Sequence, residues 1–398
     1  MKNPSSGQLT QLKARAERIA AVLEPISRGS GGLPDERGRA IIAAAAQRIL
    51  RRERAVGASL VLLFPGGQTQ TYCFGHARLH PKVPVTEKTC FRAASVSKLV
   101  MTFGALSLCA DGVLDLDVDV SQYLGYSVRS PHAQDVPVTL RMLLTHTSGI
   151  RDEGNYGTRG MEKGCTLGEL LTNPDNWLTA VPGSAFHYSN LGAGVAGVVM
   201  EKAAGQPFEA IMQERVFKKL AIRASYDPAR ILPADDLADG YSVRPLLPPK
   251  KKYDAAALSA RPPQGFDPET DFLIAAGRMI TDSDGMGKLL RLLAAREDTS
   301  VLPAKWLDLM RAPQDGSGGI APMARGLNTA FLPNVFPGVS PVGHQGVAYG
   351  MCAELFADPD TGCGVGLLTS GVRLAPCPPL MRAGFDLLAL GFAAVATD

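Results

Sequence analysis

The sequence lacks the long apolar runs that mark membrane-spanning and exported proteins. Its most apolar tail, residues 387–396, is far shorter than the roughly 18 residues that suggest a membrane span. The N-terminal region has a helical pattern with several charged residues, and it has no apolar central segment of the kind found in a signal peptide. We therefore expect a cytoplasmic protein that crosses no membrane.

A surplus of one charge is also missing. The 398 residues include 41 Lys and Arg against 38 Asp and Glu, a net charge of +3, which is too balanced for a surface devoted to nucleic-acid phosphates. The one concentrated basic run, Lys250, Lys251 and Lys252, follows two prolines and is typical of a solvated loop. We expect no nucleic-acid partner.

Patterns for disulfides, metals and two other enzyme classes are absent too. The seven cysteines are scattered, with no C-x-x-C pair and no histidines at metal-ligand spacing. There is no H-E-x-x-H zinc pattern and no G-x-S-x-G nucleophile elbow of the α/β-hydrolases. These absences predict reduced thiols, no metal and no other cofactor.

What is present is a pattern of strands near both ends of the chain and helices between them. Strands are predicted at residues 58–64, 69–75, 326–331, 351–356 and 364–369, with a hairpin turn at 358–362. Helices are predicted at residues 8–24, 37–54, 91–111, 140–145, 166–171, 191–204, 275–295 and 380–395.

This order predicts an α+β fold, in which an antiparallel sheet flanked by helices carries a mostly helical inserted lobe. Residues 36–112 and 276–398 would form the lobe with the sheet, and residues 113–275 the helical lobe. Residues 1–35 are expected to be an N-terminal helical extension and linker. A cleft between two lobes is the expected place for a site.

The first candidate site group is Ser95 with Lys98, at the expected start of a helix. Residues three apart share one helix face, so the Lys98 amine can stand beside the Ser95 hydroxyl and activate it without a histidine. S-x-x-K alone arises by chance about once in several hundred residues. The alternative is an N-capping serine followed by an exposed lysine.

The second group is Tyr188-Ser189-Asn190, before a predicted helix. A phenol at a helix start can point into a cleft, where a nearby ammonium would favour its phenolate and let it accept a proton. Asn190 can hold a substrate carbonyl or a neighbouring lysine. The alternative is an Asn N-cap behind a packing tyrosine.

The third group is the segment from Gly343 to Val347, which contains His344 and Gly346. Gly346 permits a ligand to approach the backbone, and the Val347 N–H can donate from a strand edge. A lone histidine in a turn is otherwise usually structural.

Taken together and in this order, the three groups resemble the penicillin-recognising serine hydrolases, in the branch of class C β-lactamases, D-aminopeptidases and related esterases. Residues 91–98, 112–119, 143–149 and 275–281 also look like segments of this family. The resemblance covers about residues 40–395 and leaves out the N-terminal extension.

The resemblance implies a role for each position. Ser95 would be the acylated nucleophile, Lys98 and Tyr188 would share proton transfer, and Asn190 would contact the substrate. The N–H groups of Ser95 and Val347 would form the oxyanion hole. Which of Lys98 and Tyr188 is the base stays open, because their titrations are expected to be coupled.

The third motif has His344 where the lysine-containing form has a permanent cation, which weakens a clamp for substrate carboxylates. We therefore expect an acyl-enzyme hydrolase of small ester or amide substrates. The alternatives are D-aminopeptidase or β-lactamase activity, an acyltransferase, and a catalytically silent scaffold of the same fold. His146, in residues 143–149, is expected to be architectural. The oligomeric state is not readable from the sequence.

Overall fold

The computed structural model describes residues 5–23, 32–153, 165–261, 267, 269–314 and 325–396. Its centre is a seven-stranded sheet in which every pairing is antiparallel. In spatial order the strands are β3 (Lys82–Pro84), β2 (Thr69–Leu79), β1 (Gly57–Leu63), β12 (Cys363–Gly371), β11 (Met351–Asp358), β10 (Val342–Ala348) and β9 (Ala330–Phe331).

Shorter strands lie outside this sheet. They are β4 (Phe91–Arg92), β5 (Ala224–Ser225), β6 (Gly240–Ser242), β7 (Lys250–Tyr253), β8 (Ile280–Thr281), β13 (Pro376–Cys377) and β14 (Leu380–Met381). The α-helices of the described residues are α1 (Ser6–Ala20), α2 (Glu36–Arg52), α3 (Val96–Ala110), α4 (Ser121–Leu124), α5 (Leu140–Leu144), α6 (Leu167–Thr172), α7 (Asn190–Ala204), α8 (Phe208–Met212), α9 (Lys218–Leu220), α10 (Ala255–Ser259), α11 (Ile274–Gly277), α12 (Ser283–Ala294), α13 (Ala304–Arg311) and α14 (Arg382–Val395).

The sheet is covered on both faces, and β1 shows how. All seven residues of this apolar strand are buried, as expected for a central strand with two covered faces. Leu60 and Leu62 pack with α1, α2 and α14, whereas Val61 and Leu63 pack with α3 and α12. The predicted antiparallel sheet flanked by helices is therefore confirmed.

The predicted hairpin between the last two long strands is confirmed as well. Strands β11 and β12 pair from Asp358 opposite Cys363. Gly362 has a φ of 72°, a left-handed conformation that favours glycine, and its N–H donates to the Asp358 carbonyl at 2.9 Å.

In two of the long predicted helices, a short strand replaces part of the N-terminal half. Residues 91–111 do not form one helix: Phe91–Arg92 is strand β4, and α3 begins at Val96. Residues 275–295 are interrupted by strand β8, which pairs with β4 and β5. Apolar periodicity cannot detect such two-residue strands, because their partners come from distant parts of the chain.

Two further predictions need correction. The basic run is not a loop, because Lys250–Tyr253 forms strand β7 paired with β6, and the Lys251 ammonium lies 2.8 Å from the Asp239 carboxylate. The strand expected at residues 326–331 shrinks to Ala330–Phe331. Residues 113–275 also contain the short strands β5 to β7, and the division into two lobes stays a prediction.

The cysteines and the N-terminal region complete the picture. The seven cysteines are thiols, and four of them are buried. The predicted N-terminal helix occurs as α1, and much of the predicted linker lies outside the described residues. Within the described ranges, no helix is both long and apolar enough to span a membrane.

Candidate active site

Ser95 is the N-cap of α3 and remains half-buried. The residue before it, Ala94, has a φ of 46°, so the chain turns sharply where it enters the helix. This turn is held by Ser97, whose hydroxyl donates to the Ala94 carbonyl at 2.5 Å and accepts from the Met279 N–H at 3.0 Å. Sequence reasoning missed this role of Ser97.

Lys98 has no exposed surface, and its amine meets three oxygens. The Nζ atom lies 3.1 Å from Ser95 Oγ, 2.8 Å from Asn190 Oδ1 and 2.5 Å from the Ala276 carbonyl. None of these oxygens is charged, so burial dominates and lowers the pKa of Lys98 to about 7, although the Asp152 carboxylate opposes the shift. The exposed lysine of the alternative interpretation is wrong.

Tyr188 lies beside this pair. Lys98 Nζ is 5.0 Å from its ring centre, and the Ser95 side chain is close enough to lower the pKa of its phenol. Burial raises the pKa of the phenol above its usual value, and the effect of Ser95 opposes this only in part. The shift is opposite to the one expected from a nearby ammonium, because loss of solvent outweighs the attraction.

His146 forms one wall of the site. Its ring centre is 4.5 Å from that of Tyr188, and its Nδ1 atom accepts from the Ser189 N–H at 3.2 Å. Burial lowers the pKa of His146 well below its usual value, so the ring is neutral near pH 7. These contacts hold the segment that carries Tyr188.

Asn190 is the first residue of α7, and Ser189 is the N-cap, so the alternative of an Asn190 N-cap is wrong. Asn190 is held by Asp152, which the sequence analysis did not single out. The Asp152 carboxylate accepts from the Asn190 amide Nδ2 at 2.8 Å and its backbone N–H at 2.9 Å. It also accepts from the Ser189 hydroxyl at 2.9 Å and the Leu191 N–H at 3.1 Å. A carboxylate at a helix N-terminus is electrostatically favoured, but no local pattern links residue 152 to residue 190.

The third group lies on β10, against the loop that carries Ser95. A Cβ atom on Gly346 would sit 2.3 Å from the Ala93 carbonyl and 3.0 Å from the Ser95 nitrogen, so only glycine allows this contact. Strand β9 pairs only with Val342 and Gly343. Val347 therefore lies where β10 has no strand neighbour on that side among the described residues.

His344 is buried at 6 % exposure. Its Nδ1 atom lies 2.6 Å from the Gln345 carbonyl, so Nδ1 carries a proton and donates. Burial, with a smaller effect of Lys98, lowers the pKa of His344 to about 3, which makes the ring neutral near pH 7. Arg325, which the sequence analysis also missed, shares a small cavity with His344 and Tyr188, and its guanidinium carbon lies 4.7 Å from the centre of the Phe186 ring.

The arrangement brings a serine hydroxyl, an amine, a phenol and a backbone segment to one point. Within the described ranges, no group of His, Cys, Asp or Glu side chains suits a metal ion.

Comparison with known proteins finds relatives along most of the chain. The β-lactamase family model matches residues 42–383. Esterase EstB of Burkholderia gladioli is 31% identical over 297 residues, which cover 68% of this chain and 73% of the esterase.

Two solved structures share the fold. EstCE1, described as a hydrolase with promiscuous acyltransferase activity, has a TM-score of 0.70 and 23% identity, and the match covers 98% of this chain and 100% of EstCE1. The D-amino acid amidase of Ochrobactrum anthropi has a TM-score of 0.67 and 23% identity, with 89% and 98% covered. The chain belongs to the β-lactamase family of serine hydrolases.

Proposed function

We propose that this protein hydrolyses small carboxylic esters or amides through an acyl-enzyme on Ser95, with esters as the better substrates. One observation carries the proposal. The buried Lys98 amine has two uncharged carbonyl-type acceptors, Asn190 Oδ1 and the Ala276 oxygen, and its third neighbour is Ser95 Oγ. A neutral amine would donate its two N–H groups to the carbonyls and turn its lone pair toward the Ser95 hydroxyl.

In acylation, Ser95 Oγ forms a bond to the substrate carbonyl carbon while its proton passes to Lys98 Nζ. The carbonyl electron pair moves onto oxygen, where the N–H groups of Ser95 and Val347 stabilise the oxyanion. The intermediate collapses and expels the alcohol or amine. Tyr188, with its raised pKa, is a neutral phenol suited to give the leaving group a proton, and it regains the proton that Lys98 took up.

Water then attacks the acyl-enzyme, with Lys98 and Tyr188 acting in the reverse direction. Lys98 is the base in this scheme, because its pKa of about 7 leaves much of the amine unprotonated at neutral pH.

The substrate preference is inferred from His344, which stands where the lysine-containing form of the motif has a permanent cation. His344 is neutral, so it offers no ion pair to the carboxylate of a penicillin or a D-Ala-D-Ala peptide. The esterase relative at 31% identity supports an ester substrate, whereas the amidase likeness keeps amides open. Acyl transfer to an alcohol is a second candidate, since it shares the first half-reaction and EstCE1 is described with that activity.

The test begins with detection of the covalent intermediate. Intact-mass measurement after mixing with a p-nitrophenyl ester should show an acyl adduct on the native protein and none on Ser95→Ala. The matched control is Ser107→Ala, a buried serine at the other end of α3, which should keep the adduct. Absence of adduct and of fluorophosphonate labelling at Ser95 would favour a catalytically silent scaffold.

A substrate panel then separates the alternatives. Turnover of p-nitrophenyl acetate and butyrate, of D-amino-acid anilides and of a chromogenic cephalosporin is compared, with and without an added alcohol. We expect the esters to give the highest kcat/KM. A cephalosporin or anilide turned over faster than the esters would reject the ester preference, and ester product formed with the alcohol would reveal acyl transfer.

A further inference from the structure

A cationic groove lies between helices α1, α2 and α14, on the face of the sheet away from α3. Its volume is about 450 Å³, within the range of small-molecule sites. Helix α1 precedes the residues that the β-lactamase family model matches. The groove thus forms where the N-terminal extension packs against the family fold.

Four arginines line the groove: Arg15 and Arg18 from α1, and Arg48 and Arg52 from α2. Arg15 and Arg52 bind the buried Asp386 carboxylate of α14, and Arg52 also contacts Glu53. Among the lining residues that the structure describes, none is acidic. Arg18 and Arg48 are exposed, so their guanidinium groups are accessible for pairing with a bound anion.

The floor and one edge of the groove are apolar. Ala45, Ile49 and Leu390 form buried parts of the lining, Ile19 is half-buried, and Val22 remains 43 % exposed. A small inorganic anion would leave this surface in contact with water. An aliphatic chain attached to the anion would cover it, with a gain of about 25 cal/mol for each Å² of apolar area removed from water.

We propose that this groove binds an amphipathic anion, a single carboxylate or phosphate head on an aliphatic chain of medium length. The head would lie between Arg18 and Arg48, which are exposed. Guanidinium groups pair with carboxylate and phosphate oxygens through two parallel N–H donors. The chain would extend along Ile19, Val22 and Leu390. This site is separate from Ser95 and does not depend on the proposed hydrolysis.

Isothermal titration of the full-length Ser95→Ala protein with decanoate and with decyl phosphate, below their micelle concentrations, tests the proposal. The alanine variant keeps the ligand from reacting at Ser95. We expect one binding site for at least one of the two anions, and an increase in melting temperature that grows with ligand concentration. Comparing the two arms distinguishes a fatty-acid ligand from an alkyl phosphate ligand.

Adding Arg18→Gln/Arg48→Gln to the Ser95→Ala protein should weaken this binding at least tenfold. The same two substitutions in the protein that keeps Ser95 should leave ester hydrolysis unchanged. Arg51→Gln, an exposed arginine of α2 outside the groove lining, is the matched control and should bind as tightly as the parent. Val22→Ser should weaken binding of the ten-carbon ligands more than that of butyrate.

Three outcomes would overturn the proposal. If decanol binds as tightly as decanoate, the arginines do not recognise the charged head group. Equal affinity for phosphate and decyl phosphate would mean that the apolar floor is not used. Unchanged decanoate affinity in Arg18→Gln/Arg48→Gln would place the ligand elsewhere in the molecule. None of these outcomes would change the result of the acyl-enzyme experiment at Ser95, because the two sites are tested separately.

Discussion

Two groups of buried charge lie on helices that cover opposite faces of the sheet, and they are built differently. On α3, the Lys98 amine contacts only uncharged oxygens. On α14 and at the end of α2, Asp386 and Glu53 have fully buried side chains that pair with guanidinium groups. Asp386 binds two arginines, and Glu53 binds Arg52, Arg373 and Arg382.

The two groups have different roles because their charges have different partners. Ion pairs stabilise the charged forms, and the pKa of Glu53 is accordingly lowered because its hydrogen bonds to arginines outweigh its burial. Glu53 therefore keeps its charge, and its ion pairs connect separate elements of the fold. Without an ion-paired partner, burial lowers the pKa of Lys98 to about 7, so this amine can gain and lose a proton near neutrality.

The largest effect is expected where the amine is removed. Lys98→Met keeps the length of the side chain but removes the proton acceptor, so kcat for an ester should fall about thousandfold. The free energy of unfolding should change by less than about 2 kcal/mol, because relief of a desolvated amine opposes the loss of donors to two buried oxygens. Steady-state kinetics measure the change in kcat, and urea unfolding measures the change in the free energy of unfolding.

Lys82→Met, an exposed lysine on β3, is the control and should alter neither quantity. Activity of Lys98→Met within tenfold of the parent would remove Lys98 from the proton-transfer scheme.

At Asp386, by contrast, we expect a loss of stability with little change in activity. Asp386→Ala leaves Arg15 and Arg52 without their shared carboxylate, and breaking such a buried pair should lower the free energy of unfolding by about 3 kcal/mol. The kcat of the folded protein should stay within twofold, because α14 packs on the face of the sheet opposite to α3, the helix that Ser95 caps. Asp360→Ala, an exposed carboxylate in the β11–β12 turn, should cost less than about 0.5 kcal/mol. A large loss of kcat in Asp386→Ala would show that the two groups are coupled.

Lys98 and Glu53 can also be distinguished without mutation, because Lys98 should govern the pH dependence of activity and Glu53 should contribute to the pH dependence of stability. Below pH 7, Lys98 is protonated and cannot accept the Ser95 proton, so kcat/KM should fall about tenfold per pH unit below a midpoint near 7. Because the pKa of Glu53 is lowered, its contribution to stability is present above the ordinary value of 4.5 and is lost only as the pH falls through the lowered pKa.

The His344→Gln variant assigns this midpoint. The pKa of His344 is lowered to about 3, so the variant should keep the midpoint near 7 even if its rate changes. A midpoint that disappears in His344→Gln would identify the histidine as the titrating group.

The smallest effect is expected at Asp152, whose charge raises the pKa of Lys98 against the effect of burial. Asp152→Asn should move the midpoint of kcat/KM to lower pH by a fraction of a unit. It should also weaken the start of α7 by about 1 kcal/mol, since the carboxylate accepts backbone N–H groups there. Glu153→Gln, its exposed neighbour, serves as the control. An upward shift of the midpoint would contradict this account.

Much of the fold was predictable because its main elements have local signals. The apolar run of β1, the turn at 358–362 and the periodicity of α2 depend on neighbouring residues in the chain. The errors fall where long-range pairing decides the structure. Phe91–Arg92 is a strand only because Ile280–Thr281 runs beside it, and Lys250–Tyr253 only because of Gly240–Ser242.

The available chemical groups could be read from local sequence: Ser95 and Lys98 share one helix face because three residues make nearly one helical turn. Tertiary structure alone decided their protonation. The low pKa of Lys98, the high pKa of Tyr188 and the roles of Asp152 and Ser97 depend on which distant groups exclude water and which donate hydrogen bonds. Solvation and charge act through space, and the order of residues in the chain does not specify those distances.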